Sequence, residues 1–125
     1  MIENQKSKTY DLEKRTLEFA QRMRNFIKRL PKTLANQEDG KQLIRSSGST
    51  GANYIEANET LGKKDFLMKI KTCRKEAKES TYWLRLVDVE GKILLENERT
   101  TILDESVELT KIFGSIVRKI EPWGF

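Results

Sequence analysis

Apolar residues recur along this chain at alternating intervals of four and three residues in three separate segments. Such spacing places every member on one side of an α-helix. The first stripe comprises Leu12, Thr16, Phe19, Met23, Phe26 and Leu30. The second comprises Phe66, Ile70, Cys73, Ala77, Ser80, Leu84 and Val87. The third comprises Leu95, Arg99, Ile102, Ser106, Leu109, Phe113, Ile116 and Ile120. Because stripes this narrow must be covered by other helices, the pattern predicts an all-α helical bundle.

Helix caps and breakers divide the chain into four predicted helices. Thr9 or Asp11 can cap the first helix, and Pro31 ends it because proline disfavours a helical conformation in the residue before it. The second helix is expected to begin within residues 36–40 and to run to about residue 61. The third and fourth are expected over residues 63–89 and 96–121. In the connector between them, Ile93 and Leu94 are expected to fold against the end of the bundle.

The segment from Ser46 to Gly51 has a composition typical of a loop, with two glycines that each cost about 1 kcal/mol relative to alanine in a helix. The four-three spacing nevertheless continues through it, at Ile44, Gly48, Gly51 and Ile55. Small residues on one side of a helix allow a neighbouring helix to approach closely, so we interpret the segment as helical. A phosphate-binding P-loop is the alternative, but Ala52 stands where that motif needs lysine.

The chain length of 125 residues fits one domain. We expect this domain over residues 10–121, between a flexible N-terminal tail at residues 1–9 and a C-terminal tail at residues 122–125. Trp123 and Phe125 in the second tail would fold back on the bundle or dock on another subunit, because exposed aromatic surface is unfavourable in water.

Charged residues make up 34% of the chain and hydrophobic residues 37%, as expected for solvated helices. The sequence has no apolar run that approaches the length of roughly 18 to 20 residues needed to cross a bilayer. The first residues also lack the apolar core of a signal peptide. We therefore expect a soluble, cytoplasmic protein that does not enter a membrane.

Cysteine and histidine usage limits the chemistry. The single cysteine, Cys73, cannot form an internal disulfide, and its place on the apolar stripe predicts a buried, inert thiol. The sequence contains no histidine, which removes the usual general base, the commonest zinc ligand and the Glu-x-x-His pairs of di-iron bundles. We expect neither a metal site nor a cofactor.

Positive charge is unevenly distributed. Residues 63–88 contain eight basic and four acidic residues, whereas residues 89–125 contain five basic and seven acidic residues. An anionic partner is one interpretation, and a solvated lysine-rich helix face is the other. The candidate nucleic-acid-binding residues lie on the first and third helices, at Arg22, Arg24, Lys28, Arg29, Lys63, Lys64, Lys71, Arg74, Lys75 and Lys78.

Polar residues on the second and third helices also share helical spacing. If those sides face each other, Arg45 pairs with Glu76 or Glu79, and Asn53 bridges between them. Two facing carboxylates can serve as acid and base, but no nucleophile or oxyanion site accompanies them. We therefore predict no catalytic residue. The expected alternative is a structural polar network that consists of Arg45, Asn53, Glu56, Glu76 and Glu79.

Tyr82 and Trp83 lie within the basic third helix, and aromatic side chains near Lys and Arg can stack on unpaired bases. Adjacent helical residues point about 100° apart, so the two rings are not expected to form one platform. Burial of one of them in the core or at an interface is the alternative.

Three segments, Gln42–Ala57, Lys64–Phe66 and Lys75–Leu84, closely resemble a bacterial family of four-helix-bundle proteins. This family is encoded by intervening sequences of 23S ribosomal RNA genes, and the similarity covers roughly residues 10–120. The resemblance implies an up-down four-helix bundle that assembles into a ring-shaped homo-oligomer, a pentamer. It also places the serine- and glycine-rich segment inside the second helix.

Relatives of this family include accessory proteins of diversity-generating retroelements, basic pentamers that bind nucleic acid and a reverse transcriptase. The resemblance therefore implies further copies of the chain, RNA or DNA, and a protein such as a reverse transcriptase as partners. We expect a non-enzymatic, RNA-associated accessory protein whose basic helix faces contact phosphates. A protein scaffold that binds no nucleic acid, with Tyr82, Trp83 and the C-terminal aromatic residues as its contacts, is the alternative.

Overall fold

The computed structural model describes residues 11–121, which form four α-helices and, within that range, no β-strand. The helices are α1 (Leu12–Arg29), α2 (Leu34–Asn58), α3 (Lys63–Leu86) and α4 (Ile93–Ile120). Each helix packs on the next one along the chain, and α4 packs back on α1. The result is an up-down four-helix bundle in which α1 and α3 occupy opposite corners. The all-α prediction is confirmed.

The predicted stripes of α1, α3 and α4 supply most of the hydrophobic core, but towards the end of α4 Val117 is buried in place of Ile116. All six stripe residues of α1 are buried, and Phe19, Phe26 and Phe113 are the largest side chains that the core encloses. Burial of one such side chain contributes roughly 1.5–3 kcal/mol relative to its exposure in water. Packing of these stripes is therefore the main source of stability.

Cys73 belongs to this core and is fully buried, as predicted. Desolvation by the surrounding side chains raises the pKa of its thiol to about 12. A thiol with this pKa remains protonated at neutral pH, and the thiolate is the reactive form of cysteine. Cys73 is therefore a small hydrophobic side chain of the core.

The serine- and glycine-rich segment is helical, and α2 runs through it without interruption, as predicted. The predicted stripe of α2 is confirmed at Gly51, which is buried against Thr16 of α1. It is wrong at its two ends, because Ile44 and Ile55 are 38% and 51% exposed. The buried side includes Ser46 and Thr50 instead. The hydroxyls of Ser46 and Ser80 on α3 lie 2.7 Å apart, and Thr50 Oγ1 donates to the Ser46 carbonyl oxygen at 2.9 Å. Small hydroxyl side chains can be buried in this way because their hydrogen bonds are made inside the bundle.

The first two helices begin at residues with extended or irregular backbone. Asp11 occupies the N-cap position of α1, although its side chain makes no capping hydrogen bond. The Thr33 hydroxyl accepts a hydrogen bond from the Asn36 backbone N–H at 3.1 Å, and this cap starts α2 at Leu34, before the predicted position. The predicted tails, with Trp123 and Phe125, lie outside the described residues, as does Tyr10, the first residue of the predicted domain.

Helix α4 begins at Ile93, three residues before its predicted start. Ile93 and Leu94 lie in its first turn and are 67% and 76% exposed, so the prediction that they fold against the bundle end is wrong. The physical reason is the helical rotation between neighbouring residues: Leu95 takes the position that faces the core and is 5% exposed.

The buried side chain of Asn36 joins the two loops at one end of the bundle. Its Nδ2 group donates to the carbonyl oxygens of Pro31 at 3.0 Å and Asp88 at 2.9 Å. Its Oδ1 atom accepts from the Asp88 backbone N–H at 2.9 Å. Arg99 Nη1 donates to the Val87 carbonyl oxygen at 2.6 Å, beside the end of α3. These side chains satisfy backbone groups outside the helix, which explains why α3 ends at Leu86 instead of at residue 89.

Candidate nucleic-acid interface

Helix α3 carries a second stripe of four-three spacing on the side that faces solvent. We call this stripe the basic α3 face; it consists of Lys64, Met68, Lys71, Lys75, Lys78, Tyr82 and Arg85. All of these residues are exposed except Lys71, whose side chain is 38% exposed. Five of the seven side chains are cationic. The helical rise of 1.5 Å per residue spreads them over about 30 Å.

Few carboxylates offset this charge. Lys71 pairs with Glu121 at the end of α4, with 2.6 Å between Nζ and Oε2. Lys64, Lys75 and Lys78 form no ion pair with any residue of the range 11–121. Lys63 precedes the stripe in the first turn of α3 and is exposed. The face therefore presents several cations to solvent.

Arg74 lies beside this face, in the seam between α3 and α4. An added methyl group at Gly114 of α4 would lie 3.7 Å from Arg74 Cδ and 3.4 Å from Arg118 Nη1. The side chains of Arg74 and Arg118 therefore both lie beside Gly114. Sequence reasoning missed Arg118 because it belongs to the acidic C-terminal segment. It also missed Arg85, which the same four-three spacing identifies. Tertiary structure adds Arg118 to the basic surface.

The structure does not bring the basic residues of α1 to this surface, because α1 lies at the opposite corner of the bundle. Arg22 and Arg29 point towards α4, with 3.6 Å and 3.9 Å between their Nη2 atoms and the Glu98 carboxylate. Arg24 lies beside Gly48 of α2. Lys28 is exposed and follows Arg24 by one helical turn. The ten candidate residues thus divide between two separate surfaces.

Arg45 on α2 pairs with both predicted carboxylates of α3. Its Nη1 atom is 3.2 Å from Glu76 Oε1, and its Nη2 atom is 2.7 Å from Glu79 Oε1. The hydrogen bond to Glu76 is the main cause of the raised pKa of the Arg45 guanidinium. Glu76 is 7% exposed, so this contact also compensates a buried carboxylate. One guanidinium therefore holds two acidic groups at the seam between α2 and α3.

The other two members of the predicted network do not join this triad. Asn53 Nδ2 donates to the Ser49 carbonyl oxygen of its own helix at 2.8 Å, so the predicted bridge between the carboxylates is wrong. Glu56 pairs with Lys69 at 2.5 Å, further along the same seam. Asn53 bonds within α2 because a carbonyl one turn earlier lies within reach of its short side chain.

Tyr82 and Trp83 meet edge to face beside the basic α3 face. Their ring centroids are 5.0 Å apart and their planes are inclined by 75°, so they form a corner and not a single platform, as expected from their sequence adjacency. Tyr82 is 58% exposed, whereas Trp83 packs partly against the core. Of the two rings, Tyr82 is the more exposed to solvent.

A bidentate ion pair joins α1 to α4, which pack on each other less extensively than the other neighbouring helices of the bundle do. Arg15 Nε and Nη2 lie 2.7 Å and 2.8 Å from the Glu105 carboxylate. The hydrogen bond to Glu105 is the main cause of the raised pKa of Arg15. Sequence reasoning missed this pair because the two residues are far apart in the chain. We assign it the role of holding α1 on α4.

Within residues 11–121, no group of three or more Cys, Asp or Glu side chains is placed to hold a metal ion. None of the four described helices is long and apolar enough to cross a membrane.

The fold and the sequence can be compared with known proteins. The family model described as "23S rRNA-intervening sequence protein" matches residues 8–115. A crystal structure from Bacteroides thetaiotaomicron VPI-5482, described as a protein of unknown function from the S23 ribosomal protein family, is similar with a TM-score of 0.68. The two sequences are 33% identical, and the match covers 84% of this chain and 96% of that chain. No curated protein matches the chain.

Proposed function

This chain belongs to the 23S rRNA-intervening sequence protein family, and we propose that it acts as an RNA-associated accessory protein that binds the phosphate backbone with its basic α3 face. One observation carries the proposal: four lysines and Arg85 share a single exposed stripe along α3. Phosphates attract such an array without regard to base sequence, because Lys and Arg displace counterions from the nucleic acid. We propose that this binding takes place in the cytoplasm.

The role that we propose is binding and not catalysis. The two carboxylates that were candidates for acid and base chemistry, Glu76 and Glu79, both contact the Arg45 guanidinium. An ion-paired triad at a helix seam fixes the register of α2 on α3, which is a structural function. These ion pairs hold α3 on α2, and the opposite, outer side of α3 remains accessible to RNA.

Charge reversal on the basic α3 face tests the proposal. The double substitution Lys75→Glu/Lys78→Glu should weaken binding to a hairpin RNA about tenfold or more at about 50 mM salt, because two phosphate contacts become repulsive. The slope of log affinity against log salt should fall by about 1.5 in magnitude. Filter binding over a series of salt concentrations measures both quantities.

The matched control is Lys92→Glu/Lys111→Glu, at two exposed positions at the start of α4 and along it. It changes the net charge by the same amount outside both the basic α3 face and the groove between α1 and α2, and we expect a much smaller loss of affinity. Equal losses for the two double variants would show that net charge alone attracts RNA, and the α3 assignment would then be wrong. Failure of the natural chain to retain RNA at about 50 mM salt would overturn the whole proposal.

A second surface supports self-assembly. Helices α1 and α2 expose a group of apolar side chains that we call the apolar α1–α2 face; it consists of Leu17, Ile44, Ala52 and Ile55. Leu17 is 56% exposed and Ile55 is 51% exposed, and both border a shallow groove between the helices. Contiguous exposed apolar surface marks interaction sites. We propose that further copies of the chain cover this face in a ring, which leaves the basic α3 face on the outside.

The double substitution Leu17→Glu/Ile55→Glu should abolish this assembly, because it places charge in an interface that must lose water. Sedimentation should then report the mass of a single chain, 14.6 kDa. The matched control, Ile93→Glu/Leu94→Glu, changes two exposed apolar residues at the end of the bundle and should leave the sedimentation mass of the assembly unaltered. A natural chain that already sediments at 14.6 kDa would refute the ring. If the natural chain assembles but binds no RNA, the alternative function as a protein scaffold is favoured.

A further inference from the structure

The corner between Tyr82 and Trp83 borders a shallow cavity of about 310 Å³. Its lining consists of Lys75, Lys78, Glu79, Tyr82 and Trp83. This volume is at the lower end of the range of small-ligand sites, which begins at roughly 300 Å³. The cavity is open to solvent and its walls are mainly apolar, so it suits a small flat apolar group. Lys75 and Lys78 of the basic α3 face border it, so negative charge next to that group is favoured.

The aromatic corner is held in position before any ligand arrives. Trp83 packs against the core, and its ring contacts the Tyr82 ring at a centroid distance of 5.0 Å. The neighbouring Glu79 carboxylate is bound by Arg45 at 2.7 Å, so its negative charge is largely compensated. The exposed Tyr82 ring thus offers a fixed stacking surface in a cationic environment.

Lys75, Lys78 and Tyr82 follow one another at intervals of three and four residues, so their side chains project from the same side of α3. Two ammonium groups therefore lie on the same helical side as one aromatic ring. A nucleic-acid single strand has a matching arrangement, because successive phosphates follow its backbone to one side of an unstacked base. Base stacking on an aromatic ring and phosphate contact by Lys are the two elements of single-strand recognition.

We infer that the Tyr82–Trp83 corner holds one unpaired base of an RNA single strand, while Lys75 and Lys78 contact the adjacent phosphates. The inference rests on the proposed function and adds that the RNA must offer an unstacked base. The rings are inclined by 75° and form one corner, so the site accepts a single base. A base inside a duplex is stacked on its neighbours and cannot present its face to Tyr82.

Replacement of Tyr82 by alanine tests this inference. Anisotropy of labelled oligouridine at about 50 mM salt should show an affinity loss of roughly 5- to 100-fold for Tyr82→Ala, because one stacking contact is removed. Affinity for a duplex RNA of equal length should be unchanged. The salt dependence of oligouridine binding should also be unchanged, because tyrosine carries no charge. Tyr82→Phe keeps the ring and should bind oligouridine like the natural chain.

The matched control is Leu61→Ala, which removes another exposed apolar side chain from the loop between α2 and α3, outside the basic α3 face and at the other end of α3 from Tyr82. It should bind oligouridine like the natural chain. A second readout uses Trp123→Phe, because Trp83 is then the only tryptophan of the chain. Oligouridine should quench the fluorescence of Trp83, and duplex RNA should not.

The outcomes separate this inference from the proposed function. If the natural chain binds neither RNA at about 50 mM salt, the proposed function itself is wrong. If both RNAs bind and Tyr82→Ala weakens neither, or weakens both equally, the unpaired-base site is wrong while phosphate binding by the basic α3 face stands. A selective loss of oligouridine binding supports both.

Discussion

Substitution of Asn36 by alanine should lower the free energy of unfolding by about 2–4 kcal/mol, because three hydrogen bonds to backbone groups are lost together. Two of them pair the amide of Asn36 with the carbonyl oxygen and the N–H of Asp88. The third reaches the carbonyl oxygen of Pro31. Asn36 is 4% exposed, so water cannot easily replace the lost partners. Urea denaturation followed by circular dichroism measures the change.

Two further variants make this prediction specific. Asn36→Asp preserves the shape of the side chain but replaces the Nδ2 donor with an acceptor, so it should also destabilise the fold. Asn97→Ala removes an exposed asparagine from α4 and should change the free energy of unfolding by less than about 0.5 kcal/mol. An equally small effect of Asn36→Ala would mean that the Asn36 side chain does not join the two loops in solution.

Glycine at position 51 should be required by the packing of α1 on α2. A methyl group at Gly51 would lie 2.8 Å from Thr16 Oγ1 and 3.1 Å from Thr16 Cβ. Thr16 cannot move away easily, since it is 1% exposed and its hydroxyl donates to the Leu12 carbonyl oxygen at 2.7 Å. Overpacking of this kind costs about 1–3 kcal/mol. We therefore expect Gly51→Ala to destabilise the bundle although alanine favours the helix by about 1 kcal/mol.

Gly48 supplies a matched control three residues earlier in α2. A methyl group there would meet only the end of the Arg24 side chain, at 3.8 Å. Gly48→Ala should therefore stabilise the protein by about 0.5–1 kcal/mol, which is the ordinary helix propensity difference. Gly114→Ala on α4, whose new methyl group would meet flexible arginine side chains, is a second control. A stabilising Gly51→Ala would contradict the close contact with Thr16.

Combination of Gly51→Ala with Thr16→Ala tests the contact itself. Thr16→Ala removes the oxygen atom nearest to the added methyl group, so the double variant should lose less stability than the sum of the two single losses. Equilibrium unfolding of all four chains gives the coupling free energy. Additive losses would mean that the cost of Gly51→Ala arises elsewhere.

Pattern reading failed for α2 because it counts hydrophobic residues, whereas this helix buries small hydroxyl side chains. Ser46 and Thr50 face the core with their hydrogen bonds satisfied, and the adjacent Ile44 remains exposed. The same limitation applies to the loop at the end of α3. Nothing in the local sequence around Asp88 indicates that a side chain from α2 binds its backbone.

Some features of the candidate site are set by spacing within one helix, and others by the arrangement of helices around the bundle. The basic α3 face lies on one helix, and its four-three spacing is visible in the sequence, Arg85 included. The contacts of Arg45 with Glu76 and Glu79 also followed from helical spacing, once two helices were assumed to face each other. Arg118 and the separation of the α1 residues from α3 depend on the order of helices around the bundle, so they required tertiary structure.

The sequence by itself determined the number and the type of the secondary-structure elements, and the sides of α1, α3 and α4 that face inwards. These features follow from a helical backbone that completes one turn every 3.6 residues, so residues close in the chain suffice to specify them. Tertiary structure alone decided which helices are neighbours, which small residues are buried, and which cations share one surface. Those features arise from contacts between residues far apart in the chain, and no local spacing encodes the partner of a side chain.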